Sequence, residues 1–274
     1  MPEHEEKHST IAYYREPSAD GSRPGQHFIN TYAPETRPRY EAETLAFHES
    51  VPGHHLQLAI MQELDGLPAF RRFNGCTAYV EGWGLYAEWV PKEMGLYEDP
   101  YDDFGRLAME LWRAGRLVVD TGLHHERWSR EQAVEWLLEN TPNPEGDAIK
   151  AIERYIVMPG QATAYKIGMM KIQGLRQRAE RELGEAFDVR AYHNAVLANG
   201  SVPLDVLEEL RTELLAAHPD RHHQRQPARG SEAAPAQASG TPRSHPVPRW
   251  SSSSPGTTAM GPPSPWAVPV SALG

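Results

Sequence analysis

"EAETLAFHESVPGHHLQLAIMQEL", residues 41–64, decides how the chain folds. Helix formers stand on both sides of Pro52-Gly53, so the stretch predicts two helical arms around a break. Pro52 has no N–H to bond the carbonyl of His48, and its ring collides with that carbonyl. Val51 is pushed away from helical angles by the proline after it. Regular winding fails here, and the chain must turn before it can resume.

On the C-terminal side, residues 77–94 and 102–123 carry apolar positions recurring at three and four, as in Leu107, Leu111, Ala114 and Val118. Ser129 opens the next helix as its N-cap, with Gln132 completing a capping box, and Asn140 to Pro144 closes it. Further helices are predicted at 145–157, 160–183 and 203–216. Strand-like alternation is essentially absent and no internal repeat is visible, so the fold class is all-α, with residues 41–216 as the helical domain.

Residues 1–40 read as an irregular segment packed on that domain. In "REPSADGSRPG", Asp20-Gly21 and Pro24-Gly25 are turn chemistry. Beyond His218, Pro, Gly, Ser, Ala and Arg dominate. No periodic apolar face is left to offset the entropy of ordering them, so 219–274 reads as a disordered low-complexity tail.

The 274 residues, 39% of them hydrophobic, suffice for one principal domain. A net charge of -10 excludes the basic face that nucleic-acid binding requires. Cys76, the single cysteine, forms no internal disulfide and needs no oxidising compartment. The chain shows neither the basic start and apolar run of a signal peptide nor an apolar run of about 18 residues. A cytoplasmic protein without membrane or nucleic-acid partners is the expectation.

The break carries chemistry as well as a turn. His48-Glu49 begins the H-E-x-x-H pattern of zinc peptidases, in which two histidines one turn apart hold zinc and the glutamate is general base. The second histidine should be residue 52, but His54 and His55 arrive two and three residues late. On an unbroken helix His54 would lie about 240° around from His48, and His55 about 10.5 Å along the axis. With the winding interrupted, two residues bulge out and His54 re-enters where the second ligand belongs; His55 is the other candidate.

A third ligand is expected from "YVEGWGLYAEW", residues 79–89. Glu81 and Glu88 lie about 20° apart on one helix face, two turns from each other. Glu81 is preferred because Gly82 and Gly84 leave room for a backbone or substrate beside it. Glu88 then backs up a ligand or pairs with an arginine. A His2Glu set suits one Zn2+ with an open position, and zinc lowers the pKa of its water to about 7. Surface decoration is the plainer reading of each piece taken alone.

Downstream, "RLVVDTGLHHERW" puts Arg116, Asp120 and His124 on one face at spacings of four. This is either an ion-pair ladder or an Asp120-oriented His124 that donates to an oxyanion. In "RYIVMPGQATAYKIG", Tyr165 comes after a second Pro-Gly break and is the preferred oxyanion donor, with Tyr155 in reserve; either tyrosine also suits simple core packing.

"FHESVPGHHLQ", "YVEGWGLYAEW", "MGLYEDPYDDFGRL", "LVVDTGLHHERWSREQA" and "RYIVMPGQATAYKIG" together resemble the bacterial family known as domain of unknown function 885, over roughly residues 1–212. The resemblance implies a helical metallopeptidase similar to the carboxypeptidase Taq type, where a glycine precedes the second metal-binding histidine. Gly53-His54 matches, which favours His54. The resulting expectation is a peptidase acting on small peptides: His48, His54 and Glu81 bind one zinc, Glu49 activates water, and Tyr165 with His124 stabilises the oxyanion. A hydrolase of non-peptide amides or esters and a catalytically dead helical binding module are the alternatives. Family members carry a long helical segment before this region, so the chain reads as a C-terminal fragment.

Overall fold

The computed structural model describes residues 1–73 and 75–216 of the chain, and the expected tail over 219–274 lies outside the described residues. The helices are α1 Glu3–Glu6, α2 Ala42–Glu49, α3 His54–Glu63, α4 Ala69–Phe73, α5 Thr77–Glu93, α6 Pro100–His124, α7 Arg130–Asn140, α8 Glu145–Val157, α9 Ala164–Leu183, α10 Val189–Leu197 and α11 Leu204–Ala216. The fold is helical, as the periodicity predicts. None of the described helices is long and apolar enough to cross a membrane.

Pro52-Gly53 divides α2 from α3, with Glu49 ending one helix and His54 starting the next. A Cβ on Gly53 would stand 1.9 Å from the carbonyl oxygen of His48, so only glycine lets the chain fold back this tightly. The capping box of α7 is formed in full, Ser129 accepting from the Gln132 amide while the Gln132 side chain accepts from the Ser129 amide. Three helices are additional to the expected set, the short α1, α4 and α10.

The N-terminal segment is more regular than its composition suggests. Ala12–Arg15 (β1) pairs antiparallel with Gln26–Ile29 (β2), with Tyr13 opposite Phe28 and their rings stacked at 4.9 Å. The breakers form the connecting loop, where Gly21 takes φ +70° and the Asp20 carboxylate accepts from the Ser22 amide and hydroxyl. Four-residue strands are too short to show alternation, and cross-strand packing of aromatic residues stabilises them instead.

The core is in two parts. One gathers Tyr79, Trp83, Tyr86, Met169 and Ile172 between α5 and α9 and extends to α10 and α11. The other gathers Met109, Trp112, Val119, Leu137, Ile152 and Tyr155 between α6, α7 and α8. Helices α5 and α9 approach at Gly82 and Gly168. A Cβ on Gly82 would lie 2.4 Å from Gly168 Cα, and one on Gly168 1.9 Å from the Ala78 carbonyl oxygen.

Helix α6 buries a face other than its most periodic one. Leu107, Leu111 and Val118 are 52, 48 and 40% exposed, whereas Met109, Trp112, Val119, Arg113, Arg116 and Asp120 point inward. The inner face mixes core residues with charged ones, and Arg113 among them joins a cluster of histidines and carboxylates through Glu88.

Candidate metal centre

Helix α2 presents His48 near its C-terminal end, α3 presents His54 at its first residue, and α5 presents Glu81 one turn from its start. The Nε2 atoms of the two histidines lie 3.7 and 3.4 Å from the same Glu81 oxygen, Oε2. All three ligand atoms fall within 4.8 Å of one another. Donors about 2.05 Å from a tetrahedral zinc stand ~3.3 Å apart, so the three fit one ion with little adjustment. The imidazoles meet edge to face, 4.6 Å between ring centres and 83° between planes. The structure thus brings His48 and His54 together with Glu81 across the broken helix. His55 points elsewhere, its Nδ1 bonded to the Tyr14 hydroxyl at 2.8 Å.

Gly84 makes the cradle. A Cβ there would stand 2.7 Å from His48 Cε1 and 2.9 Å from His54 Cε1, so the two rings rest directly on the bare backbone of α5. Behind the cluster, His48 Nδ1 donates to Glu88 Oε1 at 2.7 Å, and Arg113 Nη2 pairs with the same oxygen at 3.1 Å. Glu88 therefore fills both roles anticipated for it. A carboxylate on Nδ1 fixes the tautomer that leaves Nε2 free to ligate and raises its basicity. Gln57 Oε1 lies 3.4 Å from His54 Nδ1.

Electrostatics reflect this packing. Burial opposes an imidazolium at His48, but the Glu81 and Glu88 carboxylates outweigh it and push the pKa up to about 10. Burial would raise Glu81 in turn, yet the two histidines draw its carboxyl well below the ordinary value. Three donors enclosed in this way favour positive charge between them.

Glu49 comes directly after His48 as the last residue of α2 and is buried. Tyr165 reaches the cluster: its ring stacks 6.2 Å from that of His48, and Gln161 Nε2 bridges its hydroxyl at 3.3 Å to Glu81 Oε1 at 3.1 Å. The Tyr155 hydroxyl is buried without a hydrogen-bond partner and lies beside Arg116 rather than in this bridge. The sequence singled out neither Gln161 nor Arg113. Glu88, seven residues from Glu81 on the same face, was the visible sign that α5 needed a cationic neighbour.

His124 is not drawn into the cluster, which corrects the expected oxyanion role. It is exposed at the end of α6, two turns or ~12 Å beyond Arg116. Its Nε2 bonds the Tyr155 carbonyl oxygen at 2.9 Å. Asp120 does not orient it either, since both Asp120 oxygens accept from the Gly160 amide at 3.2 Å. Spacing put these side chains on one face, and the last turn of α8 and the turn after it pack onto that face and take their hydrogen bonds. They anchor the turn leading to Gln161 and Tyr165.

A family model described as "Bacterial protein of unknown function (DUF885)" matches residues 1–210. The chain belongs to this family. No curated protein matches it. Among solved structures, a candidate lipoprotein from Colwellia psychrerythraea aligns with TM-score 0.78 and 44% identity over 79% of this chain and 37% of that one. A candidate lipoprotein of unknown function from Shewanella oneidensis aligns with TM-score 0.61 and 23% identity over 74% of this chain and 39% of that one, a likeness of fold alone. This DUF885 chain spans less than two fifths of the length of either relative.

Proposed function

We propose that the DUF885 chain carries the metal centre of a zinc-dependent hydrolase of amide bonds in small peptides. The observation that supports this reading is the convergence of His48 Nε2, His54 Nε2 and Glu81 Oε2 on one point, in a cradle that a Cβ at Gly84 would fill. These are the residues that would hold the ion. Bound there, zinc supplies a Lewis acid that polarises a carbonyl and makes water a nucleophile near neutral pH.

The remaining roles belong to the protein. Glu88 keeps the proton of His48 on Nδ1, so that Nε2 stays a ligand. Glu49, adjacent in sequence to the first ligand, accepts the proton of the attacking water on its carboxylate and passes it to the leaving amine. Tyr165, oriented through Gln161, offers its hydroxyl to the carbonyl oxygen as negative charge develops there.

The test is metal analysis of the purified chain combined with turnover of a dipeptide library. About one tightly held zinc per chain is expected. Glu49→Gln should keep that zinc and lose turnover; equal activity in the variant removes Glu49 from the chemistry. A chain that takes up no zinc even after its addition refutes the reading in favour of a helical binding module. Hydrolysis of simple esters or non-peptide amides, with peptides untouched, would move the substrate class while keeping the ligands.

A further inference from the structure

Arg116 is 6% exposed, and among the described residues no carboxylate lies within ion-pair distance of it. Its Nε and Nη1 have no hydrogen-bond partner, and neither have the Tyr155 hydroxyl and Trp112 Nε1 nearby. The guanidinium carbon lies 4.8 Å from the Trp112 ring centre and 5.5 Å from that of Tyr155, and the Tyr165 hydroxyl is its hydrogen-bonding neighbour. Guanidinium and indole nitrogens only donate, and a tyrosine hydroxyl donates readily. Asp120, the acid one turn along the same face, is committed to the Gly160 amide.

A buried guanidinium with two unpaired N–H groups and no carboxylate partner costs stability until an acceptor completes it, even with aromatic faces packed on it. The acceptor that suits unpaired N–H donors on a positive group is an anion, and arginine is matched above all to carboxylate and phosphate oxygens. Its position ties it to the metal triad. The guanidinium lies 4.4 Å over the ring of Tyr165, and the same ring stacks on His48. One residue of extended peptide spans ~3.5 Å, so a peptide with its amide at the triad reaches across that ring within a residue or two.

We propose that Arg116, Tyr155 and Trp112 form an anion subsite that takes a carboxylate of the peptide substrate, either its free terminus or an acidic side chain. The proposal rests on the hydrolase reading for its substrate, but the binding it asserts can be measured without turnover. Calorimetry on the zinc-loaded full chain would compare N-acetyl-leucine, its neutral amide, and the α-amide of N-acetyl-glutamate, whose only carboxylate is in the side chain. One of the two acids is expected to bind at least about ten-fold more tightly than the neutral amide, and which one does so names the source of the carboxylate. Arg116→Met should abolish that preference at unchanged zinc content, and Tyr155→Phe should weaken the acid without affecting the amide, a comparison that stands even if Arg116→Met fails to fold.

Equal binding of acids and amide to the wild type overturns the subsite, as does a preference that survives in folded Arg116→Met. The two readings fail separately. A chain that refuses zinc but still prefers an acid through Arg116 retires the hydrolase and supports the subsite. A chain that holds zinc with no acid preference does the reverse.

Discussion

Gly84→Ala sets two physical effects against each other. Within a helix, alanine in place of glycine is worth about 1 kcal/mol of stability, so propensity alone favours the variant. The new methyl, however, would stand 2.7 Å from His48 Cε1 and 2.9 Å from both His48 Nε2 and His54 Cε1. Carbon atoms pack best at ~3.5 Å, so the His48 ring must retreat by about 0.8 Å. It has nowhere to go, because Nδ1 is held by Glu88 at 2.7 Å and Glu88 is held by Arg113 at 3.1 Å. Metal sites tolerate ligand displacements of only ~0.2 Å. Zinc affinity should therefore fall at least ten-fold, about 1.4 kcal/mol, measured by competition with a chromogenic chelator while circular dichroism shows unchanged helix content. A folded Gly84→Ala protein that binds zinc as tightly as the wild type would refute the cradle and the ligand set built on it.

Glu88→Ala removes the carboxylate behind His48 and should weaken zinc binding by about 10- to 100-fold without touching a ligand, read in the same competition assay; unchanged affinity would mean that Glu88 serves Arg113 alone. Gly168→Ala drives a Cβ to 1.9 Å from the Ala78 carbonyl oxygen and should cost ~1–3 kcal/mol in urea unfolding despite the better helix former, so a more stable variant would contradict the close approach of α5 and α9. His193 accepts from the Tyr86 hydroxyl at 2.8 Å, and burial, with Arg176 adding repulsion, lowers its pKa from 6.5 to about 4. Because the folded state releases the proton more readily than the unfolded one, this contribution is complete above pH 6.5 and is lost as pH falls toward 4. Urea titrations across that window should show stability dropping with acid, and His193→Gln should flatten the slope; an equal slope assigns the acid sensitivity elsewhere.

Much of the helical scaffold is legible because its signals are local. Ser129 and Gln132 cap α7 through contacts three residues apart, and Pro52-Gly53 divides α2 from α3 through clashes within a single turn. Composition likewise anticipated the breakers at Asp20-Gly21, although the strands they join depend on Tyr13 meeting Phe28 across the hairpin. The short α4 and α10 carry too few turns for their periodicity to stand out.

At the candidate centre the division is similar. Residue types and spacing were enough to propose His48 and Glu81 with His54 or His55 as ligands and to give Glu88 a supporting place, and the family resemblance favoured His54. Which face of α6 turns inward was not decided by its periodicity, because Leu107, Leu111 and Val118 form the cleaner stripe and yet remain exposed. Nor did spacing decide what His124 meets, and the Tyr155 carbonyl in the last turn of α8 occupies it. The sequence by itself determined the long helices, the break and the candidate ligand types, since propensity, capping and steric exclusion act within a turn or two. Only the tertiary structure decided that His48 meets Glu88 across 40 residues and Gln161 meets Glu81 across 80, leaving Arg116 buried without an acid partner among the described residues, because such pairings depend on how separate helices pack.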